Sequence, residues 1–452
     1  MSRLVADEDP AYLEALRAIE ARGRFGIRLG LARTRALLHA TGDPQAGLRG
    51  PLIGGTNGKG SVQAMVAAVL REAGLRVGQT PKPHLVSYRE RIVIDGSPIA
   101  PHDFAAIVGE VLAHTDRVAR RHGDPTEFEV LTVAAFSWFR RAAVDAAVVE
   151  VGLGGRLDAT NAWDGGVAAI TNVDLDHVAQ LGGTLTAIGR EKAAIIKRGD
   201  LAVTGATGEG LVPIRRRAAR LDVALREVTP LATRAMDRHG LVLEHPSLGE
   251  LRLALLGRHQ AANASVAIAT LEALAEAGLW SWDSVSVRRG LAAARWPGRL
   301  ELLAGPPEVL LDGAHNEAGM QALAAALTDL RPELSAGRVT VLLGIAADKE
   351  VHAMLRELAG AASLRSARII PTTMSSVRAM PATELAAAWR DAAASVGSGA
   401  AGSLVDQTIE PIGDWSEALD RGLQQALIDG GLLLVAGSLY LVGDVRGRLV
   451  PA

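Results

Sequence analysis

The 452-residue chain contains no cysteine. Disulfides, thiolate metal sites and cysteine nucleophiles are therefore excluded. Long hydrophobic runs are also missing. The late apolar stretch 430–443 is interrupted by glycine and serine and is too short to span a bilayer. The first ten residues carry Asp7, Glu8 and Asp9 and no apolar core, so no secretory signal is expected. Strong charge of either sign is lacking: the formal net charge is −2. No bulk field draws this chain to nucleic acid or to an anionic membrane. These absences lead us to expect a cytoplasmic protein with neither nucleic acid nor membrane as partner; separately, a monomer is expected. No internal repeat stands out at periods of roughly 20–50 residues, which argues against a solenoid or propeller.

Lysine is scarce too. Of 48 basic residues only Lys59, Lys82, Lys192, Lys197 and Lys349 are lysines. Where lysine persists in a chain otherwise written in arginine, its compact ammonium or its nucleophilic amine is a candidate requirement, with chance retention the other reading.

What is present is ordinary globular composition, 48% hydrophobic and 22% charged. The length favours two or three domains. Helical spacing marks residues 11–21 and 29–40. A short apolar run at Leu52 and Ile53 leads into a glycine-rich loop. A helix from Ser61 follows, with Val62, Met65, Val66, Val69 and Leu70 on one face and Gly74 past its end. Residues 145–151 and 166–171 read as buried parallel strands. After Pro297 and Gly298 the alternation restarts. Strands are expected at 309–312, 339–344, 367–371 and 431–437, and helices at 318–330, 350–359, 382–393 and 415–428. Residues 395–403 read as a flexible loop. The pattern predicts an α/β protein with a mostly parallel sheet in residues 1–296 and a smaller α/β domain in 297–452.

Five constellations carry chemistry. The first is GGTNGKGS over residues 54–61, between a strand and a helix N-terminus, where backbone N–H groups and the helix dipole favour phosphate. Lys59 would reach the terminal phosphates and Ser61 would ligate Mg²⁺. The general G-x4-G-K-[ST] pattern is not met strictly, because Ile53 stands at its first glycine and Gly60 separates Lys59 from Ser61. Next comes EVGLGGRLDATN over 150–161. Glu150 ends a strand and is either a Mg²⁺ ligand or a carboxylate that caps the glycine turn. The third is TNVDLDH over 171–177, whose Asp174, Asp176 and His177 could hold a metal or act as acid and base. In the fourth, REKAAIIK over 190–197, Lys192 is expected at the start of a helix, as a functional amine or a surface lysine. The fifth joins Arg299 to DGAHN over 312–316, a strand-end turn that either meets nucleotide or simply caps.

In this order the motifs resemble those of the folylpolyglutamate synthase/dihydrofolate synthase family, in the Mur ligase superfamily. The resemblance also covers FGIRLGL over 25–31, PHLVSYRERI over 83–92, GRHQAANA over 257–264 and GSLY over 437–440, which is similar to the family's C-terminal strand. It implies an N-terminal P-loop, Mur-type ATPase domain, a C-terminal Rossmann-like domain and an active site between them. ATP contacts are implied for Gly55, Thr56, Asn57, Gly58, Lys59, Gly60, Ser61 and Asn263, and from the second domain for Arg299, Asp312 and His315. Mg²⁺ would be held by Ser61, Glu150 and His177. Lys59, Lys192, His177 and Asp176 are the catalytic candidates, with Lys192 carbamylated by CO₂, and the role of Asp174 is open. Phe128 and Glu129 fall where the family places pterin-side contacts.

The implied reaction is ATP-dependent addition of L-glutamate to dihydropteroate, to reduced folates or to both, through an acyl phosphate. The alternatives are a Mur-type ligase of cell-wall precursors and a P-loop ATPase or binding protein without ligase activity. One position departs from the family: Lys82 stands before Pro83 where a serine that supports the Mg²⁺ site is usual. It is expected either to offset phosphate charge or to point away.

Overall fold

The computed structural model describes residues 9–23, 26, 28–397 and 407–450. Residues 1–8 of the N-terminal segment, Phe25 and Ile27 of the 25–31 motif, and 398–403 of the expected flexible loop lie outside the described residues.

Eighteen strands occur among the described residues: β1 Gly50–Gly54, β2 Val77–Thr80, β3 Val93–Ile94, β4 Ser97–Pro98, β5 Ala146–Glu150, β6 Gly166–Ile170, β7 Leu201–Thr204, β8 Leu225–Glu227, β9 Ala232–Asp237, β10 Gly240–His245, β11 Gly249–Leu253, β12 Glu301–Leu303, β13 Glu308–Leu311, β14 Thr340–Leu343, β15 Arg368–Thr373, β16 Thr408–Ile409, β17 Ile412–Asp414 and β18 Leu432–Ala436. The first sheet runs β4-β3-β2-β5-β1-β6-β7-β8. It is parallel from β2 to β8, with β3 and β4 added antiparallel at one edge. β1 and β5 are buried along their whole length, as strands covered on both faces must be. Helices Lys59–Glu72 and Glu127–Arg141 each bury a broad apolar face, which leaves the strand ends to carry the polar motifs.

Two compact units divide the chain. One contains the chain up to Leu231 together with Ala261–Ala294; the other contains Ala232–Gln260 together with the chain from Arg295 onward. The second unit holds the antiparallel sheet β11-β10-β9 and a sheet ordered β12-β13-β18-β14-β15-β16, with β17 beside β15. The last crossing between units is at Ala294 and Arg295, and Ala232–Gln260, expected within 1–296, groups with the later residues. Each unit has an apolar core, centred on Phe104, Phe136 and Trp163 in the first and on Leu343, Trp389 and Leu434 in the second.

Three local expectations are corrected. The second helix spans Ala32–Ala40 rather than starting at Leu29. Gly30 has φ +145° and Leu29 is exposed, so that turn cannot be helical. Lys192 lies in the last turn of helix Leu185–Ala193, not at a helix start, because the Thr184 hydroxyl accepts from the Ala187 amide and begins the helix earlier. The 437–440 motif is not strand. Gly437 turns at φ +104°, and Ser438 caps helix Leu439–Leu449 by accepting from the Tyr440 amide.

Candidate active site

The glycine-rich loop leaves the end of β1 and enters helix Lys59–Glu72. Its shape depends on glycine at two points. A Cβ on Gly55 would meet the Thr171 hydroxyl at 1.8 Å, and one on Gly58 would meet Asn263 Oδ1 at 2.1 Å. Both have positive φ, +146° and +81°, which disfavours any side chain there. The next strand-end loop braces it. The Thr56 and Asn57 amides donate to Asn172 Oδ1 (3.1 and 2.9 Å), the Thr56 hydroxyl donates to the Asp174 carbonyl (3.1 Å), and the Thr171 hydroxyl donates to the Asn57 carbonyl (2.6 Å). Lys59 Nζ donates back to the Gly55 and Thr56 carbonyls at 3.0 and 2.9 Å. No side chain caps the helix, so its leading amides suit an anion. The structure thus gathers Gly55 through Ser61 with Asn263.

Glu150 ends β5, opposite Ile53 of β1, and is 3% exposed. Lys82 donates its backbone N–H to Glu150 Oε2 at 3.1 Å. Capping of the glycine turn falls to Asp158, which the sequence reading missed. Asp158 accepts from the Gly152 and Leu153 amides (3.1 and 2.9 Å) and from the Thr160 amide and hydroxyl (3.0 and 2.5 Å). The signal was its place in LDAT, an acid two residues before a threonine, as in an Asx turn. This loop docks on the helix carrying Lys192. The Arg156 amide donates to the Glu191 carbonyl (3.0 Å), and the Arg156 guanidinium pairs with the Glu191 carboxylate (2.8 Å). Lys192 is 3% exposed. Burial, together with the Lys59 charge, lowers its ammonium to about 7, with Asp176 opposing.

Asp174 and Asp176 cap their own loop, accepting from the Leu175 and His177 amides (both 2.8 Å). His177 is exposed, has φ +50°, and places Nε2 3.9 Å from Asp176 Oδ1. Among the described residues no group of three or more His, Cys, Asp or Glu side chains is placed to enclose a metal. The donors at hand, the Ser61 hydroxyl and the Glu150 carboxylate, are hard oxygens, and both are buried. A sparse oxygen set fits Mg²⁺, which keeps waters and shares substrate phosphates instead of filling a protein cage.

Beside Glu150 is a small recess lined by Thr80, Lys82, Arg91, Phe128, Leu131, Thr132 and Ala135. Lys82 Nζ sits 4.2 Å from the Phe128 ring centroid. Burial lowers its ammonium to about 8, against the favourable charges of Asp158 and Glu150. Glu129 is engaged elsewhere. It accepts from Arg33 Nε (3.1 and 3.0 Å) and from the Thr126 amide (2.8 Å), as the capping box of helix Glu127–Arg141. A substrate contact through Glu129 would have to break these. The 83–92 motif is organised by Glu90, which accepts from the Leu85, Val86 and Ser87 amides. His84 Nδ1 accepts from Arg91 Nε at 2.8 Å, and burial with the Arg91 charge pushes its pKa down to about 3, so this imidazole stays neutral.

The second unit brings its own predicted residues together. Asp312 follows β13 and is 8% exposed. Its carboxylate accepts from the Leu300 and Ala314 amides (both 2.9 Å). Burial raises its pKa, and the Arg299 guanidinium works against that. Arg299 Nη1 donates to the Gly313 carbonyl (3.1 Å), and His315 Nδ1 meets the same oxygen at 2.8 Å. A carbonyl only accepts, so Nδ1 bears the proton. Asn316 caps helix Glu317–Leu330.

Comparison with known proteins agrees with this layout. Residues 53–271 match the Mur ligase middle domain, and 298–439 match the Mur ligase glutamate ligase domain. The chain is 32% identical to the dihydrofolate synthase/folylpolyglutamate synthase of Bacillus subtilis, over 97% of this chain and 99% of that protein. Among solved structures, the Mycobacterium tuberculosis folylpolyglutamate synthase complexed with ADP has a TM-score of 0.86 at 32% identity, covering 99% of this chain and 100% of that one. Escherichia coli FolC in complex with DHPP and ADP has a TM-score of 0.81 at 27% identity, covering 98% of each chain.

Proposed function

The chain belongs to the Mur ligase family as a dihydrofolate synthase/folylpolyglutamate synthase and is an ATP-dependent ligase; from that premise we propose that it joins L-glutamate to dihydropteroate, to a reduced folate or to both. The observation that carries the reading is the bracing of the 54–61 loop by Asn172 and Thr171 beside buried Glu150 and Lys192.

A carboxylate does not condense with an amine in water, because oxide is a poor leaving group. Phosphorylation of the carboxylate by ATP supplies a better one. The loop amides and Lys59 hold the phosphates and offset charge on the transferring group. Mg²⁺, held by Ser61 and Glu150 with His177, would neutralise phosphate charge there. The amine of glutamate then attacks the acyl phosphate, and inorganic phosphate leaves. Asp174, Asp176 and His177 are the groups available to take the amine proton. Asn263, which packs close to Gly58, would contact the nucleotide held by the loop. Lys192 reacts with CO₂ to form a carbamate, and the anion would lie near the Lys59 ammonium.

The test is glutamate-dependent ADP release with dihydropteroate and, separately, tetrahydrofolate, using an acid substrate labelled with ¹⁸O in its carboxylate. Label in the released phosphate is expected. Unlabelled phosphate would exclude the acyl phosphate, and ADP release indifferent to glutamate would exclude the ligase reading.

A further inference from the structure

Lys82 has a side chain that neither the phosphate loop nor the cap network uses. Its backbone N–H is committed to Glu150, while its side chain runs on to the Phe128 ring. Nζ is buried there with no hydrogen-bond partner. An ammonium carries three donors and no acceptor, so a buried one without a partner is a strong demand for an incoming oxygen. Contact with the ring face eases the charge but satisfies no donor.

The recess indicates which oxygen. Phe128, Leu131 and Ala135 give it an apolar floor, with the Phe128 ring face as its flat element. Its two hydroxyls have work already: Thr132 donates to the Phe128 carbonyl at 2.8 Å, and Thr80 accepts from the Glu150 amide at 3.3 Å. Arg91 spends Nε on His84. Of the side chains lining the recess, Lys82 is the one whose buried polar atom has no partner. The charges acting on it are Asp158, Glu150 and Arg91, whereas those acting on Lys192 are Lys59 and Asp176. Two cations already face two carboxylates, so a neutral acceptor suits the recess better than another anion.

Resting on the ligase reading above, we propose that Lys82 is a specificity-determining residue for the acid substrate. Its ammonium donates a hydrogen bond to a carbonyl oxygen on a flat heteroaromatic head seated against Phe128. The serine usual at this position has a shorter reach, so this chain would rely on the head-group carbonyl more heavily.

The experiment compares dihydropteroate with its analogue in which the ring carbonyl is replaced by an amino group, in the wild type, Lys82→Met and Lys82→Arg. A site built around a donor rejects a ligand that offers another donor. The wild type is expected to prefer the carbonyl form by about tenfold or more in kcat/KM. Lys82→Met raises KM for the carbonyl form and brings the preference to within about twofold, while KM for ATP changes little. Lys82→Arg, which keeps a donor, retains most of the preference. Circular dichroism checks that the variants fold, and the wild-type preference tests the idea without any variant. A wild type indifferent to the exchange, a Lys82→Met enzyme that keeps the preference, or a defect confined to ATP or Mg²⁺ activation would each overturn the proposal. A wild type that prefers neither form but still needs glutamate leaves the ligase reading standing. One that releases no glutamate-dependent ADP removes that reading and this proposal with it.

Discussion

At the scale of single residues, Lys192 shows how burial turns a charge into a nucleophile. A lysine in water is almost wholly ammonium at neutral pH, and an ammonium cannot attack CO₂. Here burial and the Lys59 charge lower the pKa to about 7, which makes the free amine accessible near neutral pH. The proposed attack on CO₂ would form a carbamate and release a proton. The product would be an anion, so repulsion from Lys59 would become attraction. Arginine can provide no such amine. We expect enzyme kept under ¹³CO₂ to show a carbamate carbon resonance that Lys192→Met lacks. Activity should fall on the acid side of about pH 7, where the ammonium prevails, and on removal of CO₂, with bicarbonate restoring it. Full activity in CO₂-free buffer would exclude the carbamate. The sequence marked this lysine through its scarcity, but its depressed pKa was invisible there, because Lys59 lies far away along the chain. Asp158 and Glu129 were hidden for a similar reason. Which carboxylate faces a ligand and which caps a turn depends on the neighbouring amides, not on residue type.

At the scale of elements, several buried strands and helices were legible from periodicity, although the buried strands β2 and β7 were not. β1, β5, β6, β13, β14 and β18 all fall where apolar runs predicted them. The short edge strands β3, β4, β16 and β17 were not. Two or three residues carry no period, and their pairing is decided by the neighbouring strand. The turn before β7 contains a feature with a measurable consequence. Asp200 is 6% exposed. Burial, helped by Asp164, raises its carboxyl toward neutrality, while the Lys197 amide, 2.8 Å from Oδ2, pulls the other way. The unfolded chain gives up this proton in the ordinary carboxylate range, whereas the folded chain holds it to higher pH. Folding therefore loses stability as pH rises from that range toward neutrality, and nothing further is lost above it. Asp200→Asn keeps the shape without the charge. Its urea midpoint should rise relative to wild type at about pH 8 and converge with it at about pH 4. An equal shift at both pH values would mean that packing, not ionisation, sets the effect.

At the scale of the whole molecule, residues 232–260 were the hardest to assign from sequence. Their strands β9, β10 and β11 are half exposed, and nothing local says with which core they pack. The structure groups them with the later residues, so one unit is built from two separate stretches. Each unit has its own apolar core, and this has a thermodynamic consequence. A core collapses cooperatively within itself, and coupling to another requires a large apolar interface. Phe136 is fully buried in the first core and Leu434 in the second. Truncating them costs about 3–5 and 2–5 kcal/mol respectively. Scanning calorimetry should resolve two transitions. Phe136→Ala should lower the one assigned to the unit that contains the phosphate loop, and Leu434→Ala the other, each leaving its companion within a degree or so. The assignment can be read independently by hydrogen exchange, which reports protection strand by strand. If either substitution moved the entire thermogram as one peak, the two cores would have to unfold as a single cooperative body, and the discontinuous unit would owe its stability to more than its own interior.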